Sequence, residues 1–384
     1  MSSGEVTAWH YATRDPIRIR WKQGIISEVV TAPKPPTDDA WVAPSLFDVQ
    51  INGFGGIDFQ QDDLTARQML TVANHLRLAG CLKFVPTLVT DDWSKMTNRL
   101  RRLVAMRSEW PELQAAIAGW HVEGPFLSDQ PGFHGAHDPV KMCDPTIEKI
   151  AELRAITGMD PVLLTVAPER PRSIEAIQFA VSKGIKVSLG HTNASAQVLS
   201  QSVEAGATGF THLGNGCPRE LDRYDNILWR VFETPGLMVG LIPDRIHVSA
   251  PLFRLMHRAL PPGSIYYTSD AMSAAGMPPG RYKLGAWELE VADDQVVRQP
   301  GKQLFAGSAL RPIDGVFRAA EMLGCPWQEA WSRFAETPAK LMGARNVLEV
   351  GEQADFCLLR FGPKGELAAL RTCAGGAGLA VTEG

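Results

Sequence analysis

The chain has 384 residues, 45% of them apolar and 21% charged, enough to bury one large core or two smaller ones. A net charge of −4 with no Lys/Arg run excludes the basic field that a nucleic-acid binder needs, and no apolar run is long enough to span a bilayer. Residues 1–30 lack the apolar segment of a signal peptide, and the six scattered cysteines contain no C-x-x-C pair. Reduced thiols in the cytoplasm are therefore expected, rather than a disulfide scaffold or a thiolate zinc site.

Residues 1–42 are polar and alternate weakly. Runs at 17–21 and 24–30 read as short antiparallel strands, and Pro33-Lys34-Pro35-Pro36 stops the sheet as a linker. From residue 42 the texture changes to short apolar runs at 42–50, 82–88, 117–123, 162–167, 186–191, 209–213, 237–243 and 265–270. Amphipathic stretches at 65–79, 92–109, 146–157, 172–183, 195–207 and 250–260 lie between them. Near-continuous apolar strands alternating with helices predict a parallel sheet covered on both faces. Eight repeats predict closure into a (β/α)8 barrel of the TIM type over residues 43–345. Residues 280–303 break the pattern with alternating Tyr282, Leu284, Trp287, Leu289 and Val291, which predicts an inserted β-hairpin. Helices are expected at 313–323 and 326–342. Residues 346–384 return to short strands and, with residues 1–42, are expected to form a small β-sandwich from the two chain ends.

Function in such a barrel sits at the carboxyl ends of the strands. Four of those ends carry Glu123, His191, His212 and Asp270. Burying four ionisable groups unpaired would cost several kcal/mol or force them neutral. Hard and borderline donors delivered from separate strand ends, with a spare carboxylate nearby, meet the needs of a hydrolytic metal site. His137 and His247 follow the third and seventh strands and are further candidates, whereas His10, His75 and His257 read as structural. Gly55-Gly56 is turn chemistry, too poor a match for a phosphate loop.

Several motifs in chain order carry a resemblance. They include Phe47-Asp48-Val49-Gln50-Ile51-Asn52-Gly53, His121-Val122-Glu123-Gly124-Pro125-Phe126-Leu127 and Gly190-His191-Thr192-Asn193-Ala194. Thr211-His212-Leu213-Gly214-Asn215, Arg245-Ile246-His247-Val248, Thr268-Ser269-Asp270-Ala271-Met272 and Ala306-Gly307-Ser308-Ala309-Leu310 follow. Together they resemble the N-acetylglucosamine-6-phosphate deacetylases, a branch of the amidohydrolase superfamily.

The resemblance implies a divalent metal ion on Glu123, His191 and His212, zinc foremost, with iron(II) or manganese(II) tolerated by the same donors. It implies Asp270 as the proton carrier and His137 on the carbonyl oxygen or a sugar hydroxyl. The substrate phosphate is expected on Asn215, the Gly216 N–H, His247 and Arg223, the arginine reaching across a homodimer interface. Many superfamily members carry His-x-His at the end of the first strand for a second metal. Here that place reads Gln50-Ile51-Asn52, so one ion per chain is expected, with Gln50 near the ion or its water.

Asn215-Gly216-Cys217 departs from the usual Asn-Ala-Met, and the loop at 218–226 departs too. Arg223 has the matching offset from His212, and Arg219 competes with it. The reaction implied is deacetylation of N-acetylglucosamine 6-phosphate in amino-sugar catabolism. The galactosamine epimer or a related amide stays open. A catalytically silent sugar-phosphate sensor is disfavoured, because Asp270 and all three ligands are present.

Overall fold

A computed structural model describes residues 2–301 and 305–383. Positions 1, 302–304 and 384, where the predicted chain-end spans and insertion terminate, lie outside the described residues. Helix and strand starts follow from local chemistry. Thr65 and Gln68 form a reciprocal capping box that opens the helix Ala66–Leu78, whose Met69, Val72, Ala73 and Leu76 form one buried stripe.

Eight parallel strands make the barrel: Leu46–Ile51, Cys81–Val89, Trp120–Glu123, Val162–Val166, Lys186–Leu189, Gly209–Phe210, Met238–Leu241 and Ile265–Tyr267. They pair in sequence order, and the last meets the first through a parallel bridge between Ile51 and Ala271. The Asn52 N–H donates to the Ala271 carbonyl at 2.7 Å across that seam. Inside the barrel, Phe47, Val49, Val85, Leu163 and Tyr266 share one apolar cluster. Next to it Thr87, His121, Thr165, Thr211 and Ser188 join in a buried chain of hydrogen bonds. Glu123 stands two residues beyond His121 and so faces the same interior.

The chain ends form a seven-stranded mixed sheet. Trp21 (strand Pro16–Lys22) and Phe356 (strand Phe356–Phe361) lie three strands apart in it, about 14 Å if the sheet were flat. Their ring centroids are 5.5 Å apart, so the sheet curls over on itself as a small sandwich around Ala8, Ile19, Ile26 and Val42.

Local differences from the sequence reading have physical causes. The run at 42–50 divides at Ser45: Trp41–Pro44 stays in the chain-end sheet, and Leu46–Ile51 opens the barrel. The prolines at 33–36 are accordingly a loop between two strands of one sheet. The helix expected at 326–342 breaks at Ala335 (φ −122°, ψ −72°) into Trp327–Phe334 and Glu336–Leu341. Helices Pro111–Ala116 and Ile227–Phe232 were not expected, being too short to show a period. The insertion has three antiparallel strands, Gly280–Leu284, Trp287–Val291 and Val297–Arg298. A second reversal is set by Asp294, whose carboxylate accepts the Val296 N–H at 3.0 Å. Among the described residues no helix is long and apolar enough to cross a membrane.

Candidate active site

The carboxyl ends of the barrel strands open into a cavity of about 710 Å³. Glu123, His137, His191, His212, Asn215, Gly216, His247 and Asp270 all line it. The first tip of the insertion roofs it with Leu284 and Trp287, and the Asp58 carboxylate pins that tip by accepting the Gly285 N–H at 2.7 Å.

The strand ends aim their side chains through unusual backbone. His191 (φ 50°), His212 (φ 30°) and Asp270 (φ 51°) all adopt the left-handed region, which costs a non-glycine residue of order 1–3 kcal/mol. Three such residues at three strand ends turn their side chains inward, toward one another. Glycines make room for them: a Cβ on Gly216 or Gly135 would come within 2.6 or 2.8 Å of the His191 ring.

Glu123, His191 and His212 bring one donor atom each within 4.8 Å of the others. His212 Nε2 lies 2.8 Å from Glu123 Oε1, and His191 Nε2 lies 3.5 Å from the same oxygen. A tetrahedral ion with bonds of about 2.0–2.1 Å would set its ligand atoms roughly 3.4 Å apart, close to the second distance. His191 Nδ1 is 3.0 Å from the Phe133 carbonyl, which can only accept, so Nδ1 carries a hydrogen and Nε2 is the nitrogen that faces Glu123, donating to it when protonated and free to hold a cation when not. Burial alone would raise Glu123, but hydrogen bonds from His191 and His212 hold it well below the usual carboxylate range. A buried carboxylate kept ionised between two imidazoles demands positive charge among them, either a proton or a cation. His212 shows the proton version: burial opposes its charge, and Glu123 outweighs burial and raises it. The residues present fit a divalent ion.

Asp270 faces this group. Burial first, and then the charge of Glu123, push its carboxyl up to about 7. The side-chain amides of Gln50 (3.0 Å) and Asn52 (2.7 Å) both donate to its Oδ1. Gln50 thus holds Asp270. Below it, buried Asp48 accepts from the Thr268 hydroxyl at 2.5 Å and the Ser269 N–H at 3.0 Å, locking the last strand against the first.

His137 packs edge-on against His191 with ring centroids 4.6 Å apart, and its Nε2 lies 4.0 Å from Glu123 Oε2. Burial, helped by the neighbouring His191, lowers its pKa to about 3, so it is neutral. On the other flank Asp244 binds His247 Nδ1 at 2.6 Å. Burial works against a charge on His247, but that carboxylate raises it overall. Phe305 lies between His247 (5.3 Å) and the Arg219 guanidinium (5.3 Å). Arg219 lines the cavity. Arg223 stands outside it, stacked 4.6 Å over Tyr224, to whose hydroxyl it donates at 2.6 Å.

The sequence reading missed Asn52, Asp244, Phe305 and Asp48 as parts of this site. Asn52 had a signal, two residues beyond Gln50 and therefore on the same strand face. Asp244 stands three residues before His247, close enough for a local pair. Asp48 had the same signal, two residues before Gln50 on that strand; Phe305 had none, because only the fold brings it in.

A closed parallel barrel with a Glu/His/His donor group and a facing aspartate at its carboxyl end defines a hydrolase of the amidohydrolase class. No protein-family model matches the chain. N-acetylglucosamine-6-phosphate deacetylase of Rattus norvegicus is 34% identical over 331 residues, 83% of this chain and 79% of the relative. A mutant N-acetyl-D-glucosamine-6-phosphate deacetylase from Mycobacterium smegmatis, solved in complex with N-acetyl-D-glucosamine-6-phosphate, superposes with a TM-score of 0.88 at 26% identity. That match covers 99% of this chain and 100% of the other. 5-Methylcytosine deaminase from Klebsiella pneumoniae, at 12% identity and a TM-score of 0.60 over 99% of each chain, shares the fold. This chain belongs to the N-acetylglucosamine-6-phosphate deacetylase family.

Proposed function

We propose that the chain hydrolyses the acetamide of N-acetylglucosamine 6-phosphate, releasing acetate and glucosamine 6-phosphate. The observation that carries the reading is Asp270, a buried carboxylate raised by burial and by Glu123, facing the Glu123/His191/His212 group in a cavity flanked by a histidine whose pKa Asp244 raises.

An amide resists water because its carbonyl is a weak electrophile and its nitrogen a poor leaving group. A single divalent ion held by Glu123, His191 and His212 would supply the polarisation of the carbonyl and the acidity of the attacking water. Zinc suits these donors best, and iron(II) and manganese(II) are accommodated. Asp270 takes the water proton and returns it to the departing nitrogen. Burial raises its carboxyl, so it holds a proton more readily than an exposed aspartate, as a group that takes one and returns it must. Both amide contacts fall on Oδ1, which leaves Oδ2 as the oxygen that moves the proton. His137, neutral, donates to the carbonyl oxygen. Asn215, the Gly216 N–H and His247 take the phosphate, with an arginine for its planar fork of donors.

The exposed position of Arg223 supports reach into a neighbouring subunit of a homodimer, while Arg219 supports the same role within the chain. The free state of all six cysteines supports a cytoplasmic setting.

Acetate release from N-acetylglucosamine 6-phosphate, set beside its galactosamine epimer and the unphosphorylated sugar, tests the reading. Preference for the first is expected. Equal rates on the unphosphorylated sugar would remove the phosphate from the account.

A further inference from the structure

Thr90 follows the second barrel strand directly and lines the cavity. Two of its groups meet the same atom of His137. The Thr90 N–H donates to His137 Nδ1 at 3.4 Å, and the Thr90 hydroxyl lies 2.8 Å from that nitrogen. A backbone N–H can only donate, so Nδ1 must offer a lone pair, and the hydroxyl is then a second donor to it. The space for this hydroxyl is built in on its other side. Gly124, next to the ligand Glu123, has φ 106°, and a Cβ there would stand 2.0 Å from Thr90 Oγ1.

We propose that Thr90 is a positioning residue: through its hydroxyl and backbone N–H it fixes His137 in the tautomer that carries hydrogen on Nε2, the nitrogen aimed into the site. This rests on the reading of His137 as the donor to the substrate carbonyl oxygen.

The physical consequence follows from what each nitrogen can do. In this tautomer Nε2–H meets a carbonyl oxygen as a donor. In the other it would turn a lone pair to that oxygen and repel it, and would compete for a cation beside Glu123. The ion pairs of the adjoining segments keep the two partners in register. Lys141, four residues after His137, pairs with Asp91, and Arg99 binds Asp91 at 2.8 Å. The residue following Thr90 is thereby tied to the loop that carries His137.

The test compares the zinc-loaded wild-type enzyme with Thr90→Val and Thr90→Ser. Nitrogen-15 spectra of labelled histidines report the tautomer, His137 being assigned by the signal lost in His137→Gln. The wild type and Thr90→Ser should both show Nδ1 bare and Nε2 protonated. In Thr90→Val, where only the backbone N–H still holds Nδ1, the Nδ1 signal should shift part of the way toward the protonated position, and turnover should fall about three- to tenfold with KM nearly unchanged, the worth of the one neutral hydrogen bond removed. Zinc content should be the same in all three. A protonated Nδ1 in the wild type would overturn the proposal. So would a Thr90→Val enzyme that loses turnover with its tautomer intact, or a Thr90→Ser enzyme that fails to recover it. If none of the proteins releases acetate while the tautomer pattern holds, the deacetylase reading fails and the positioning role of Thr90 stands.

Discussion

The two flanks of the cavity are built on different principles. On one flank Glu123, His191, His212 and Asp270 are buried, leave the ends of barrel strands, and are oriented by neighbouring strands and backbone carbonyls. On the other, Asn215, Gly216, Arg219 and Arg223 sit along a loop between the sixth strand and the short helix Ile227–Phe232. One of its two arginines, Arg223, lies outside the cavity, stacked on the exposed Tyr224 and donating to its hydroxyl. The barrel orients the proposed bond-making groups through hydrogen bonds from neighbouring strand ends and backbone. In the proposed reading, recognition of the phosphate falls to a loop that can change length and partner without disturbing the barrel.

Predictions follow from that contrast. The largest effect belongs to the strand-end ligands. His191→Ala and His212→Ala should each lose the tightly held ion and with it measurable acetate release, while the circular dichroism stays native. Retention of a full equivalent by elemental analysis would move the ion elsewhere. Asp270→Asn should keep fold and metal and lower turnover by about two to four orders of magnitude. Substantial residual rate at neutral pH would assign the proton to another group.

On the loop flank effects should be smaller and selective. Removing the arginine that holds the phosphate should cost about ten- to a hundredfold in kcat/KM for the phosphorylated sugar and little for the unphosphorylated one. Arg219→Ala and Arg223→Ala decide between the two arginines. If Arg223 acts across an interface, mixed dimers of Arg223→Ala with Asp270→Asn chains should regain activity at one site, and absence of rescue in proven heterodimers would place the contact within one chain.

The smallest effect is one of stability in the metal-free protein. There the Asp270 carboxyl is raised to about 7, far above its usual value. A raised carboxyl stabilises the fold fully below its ordinary pKa, near 4, and that contribution is lost as pH rises through about 7. Asp270→Asn should therefore melt higher than the wild type at pH 8 and show much less of that gain at pH 5. An equal difference at both would mean that the carboxyl is not raised.

How much of this was legible in the sequence divides along the same line. Glu123, His191, His212 and Asp270 could be read because a strand end is marked by an apolar run, and an ionisable residue there stands out. The eight strands lie where those runs are, most of them shorter by one to three residues, with Cys81–Val89 longer by one at each end. Gln50 was read as near the ion or its water, and the structure shows its amide holding Asp270, a partner 220 residues away that no local pattern reveals. Phe305 reaches the cavity from beyond the insertion, and only packing places it beside His247 and Arg219. The loop arginines carried the least signal of all, since a charged residue in a polar loop looks the same whether it faces solvent, substrate or a second subunit.

The central claim is one ion at Glu123, His191 and His212, working with Asp270 on an amide. Titrating the metal-free enzyme with zinc while following acetate release from N-acetylglucosamine 6-phosphate tests it most directly. Activity should rise in proportion to bound metal and level off at about one equivalent per chain, with Asp270→Asn binding the same equivalent and remaining nearly silent. A plateau at two equivalents, or full activity without metal, would contradict the account.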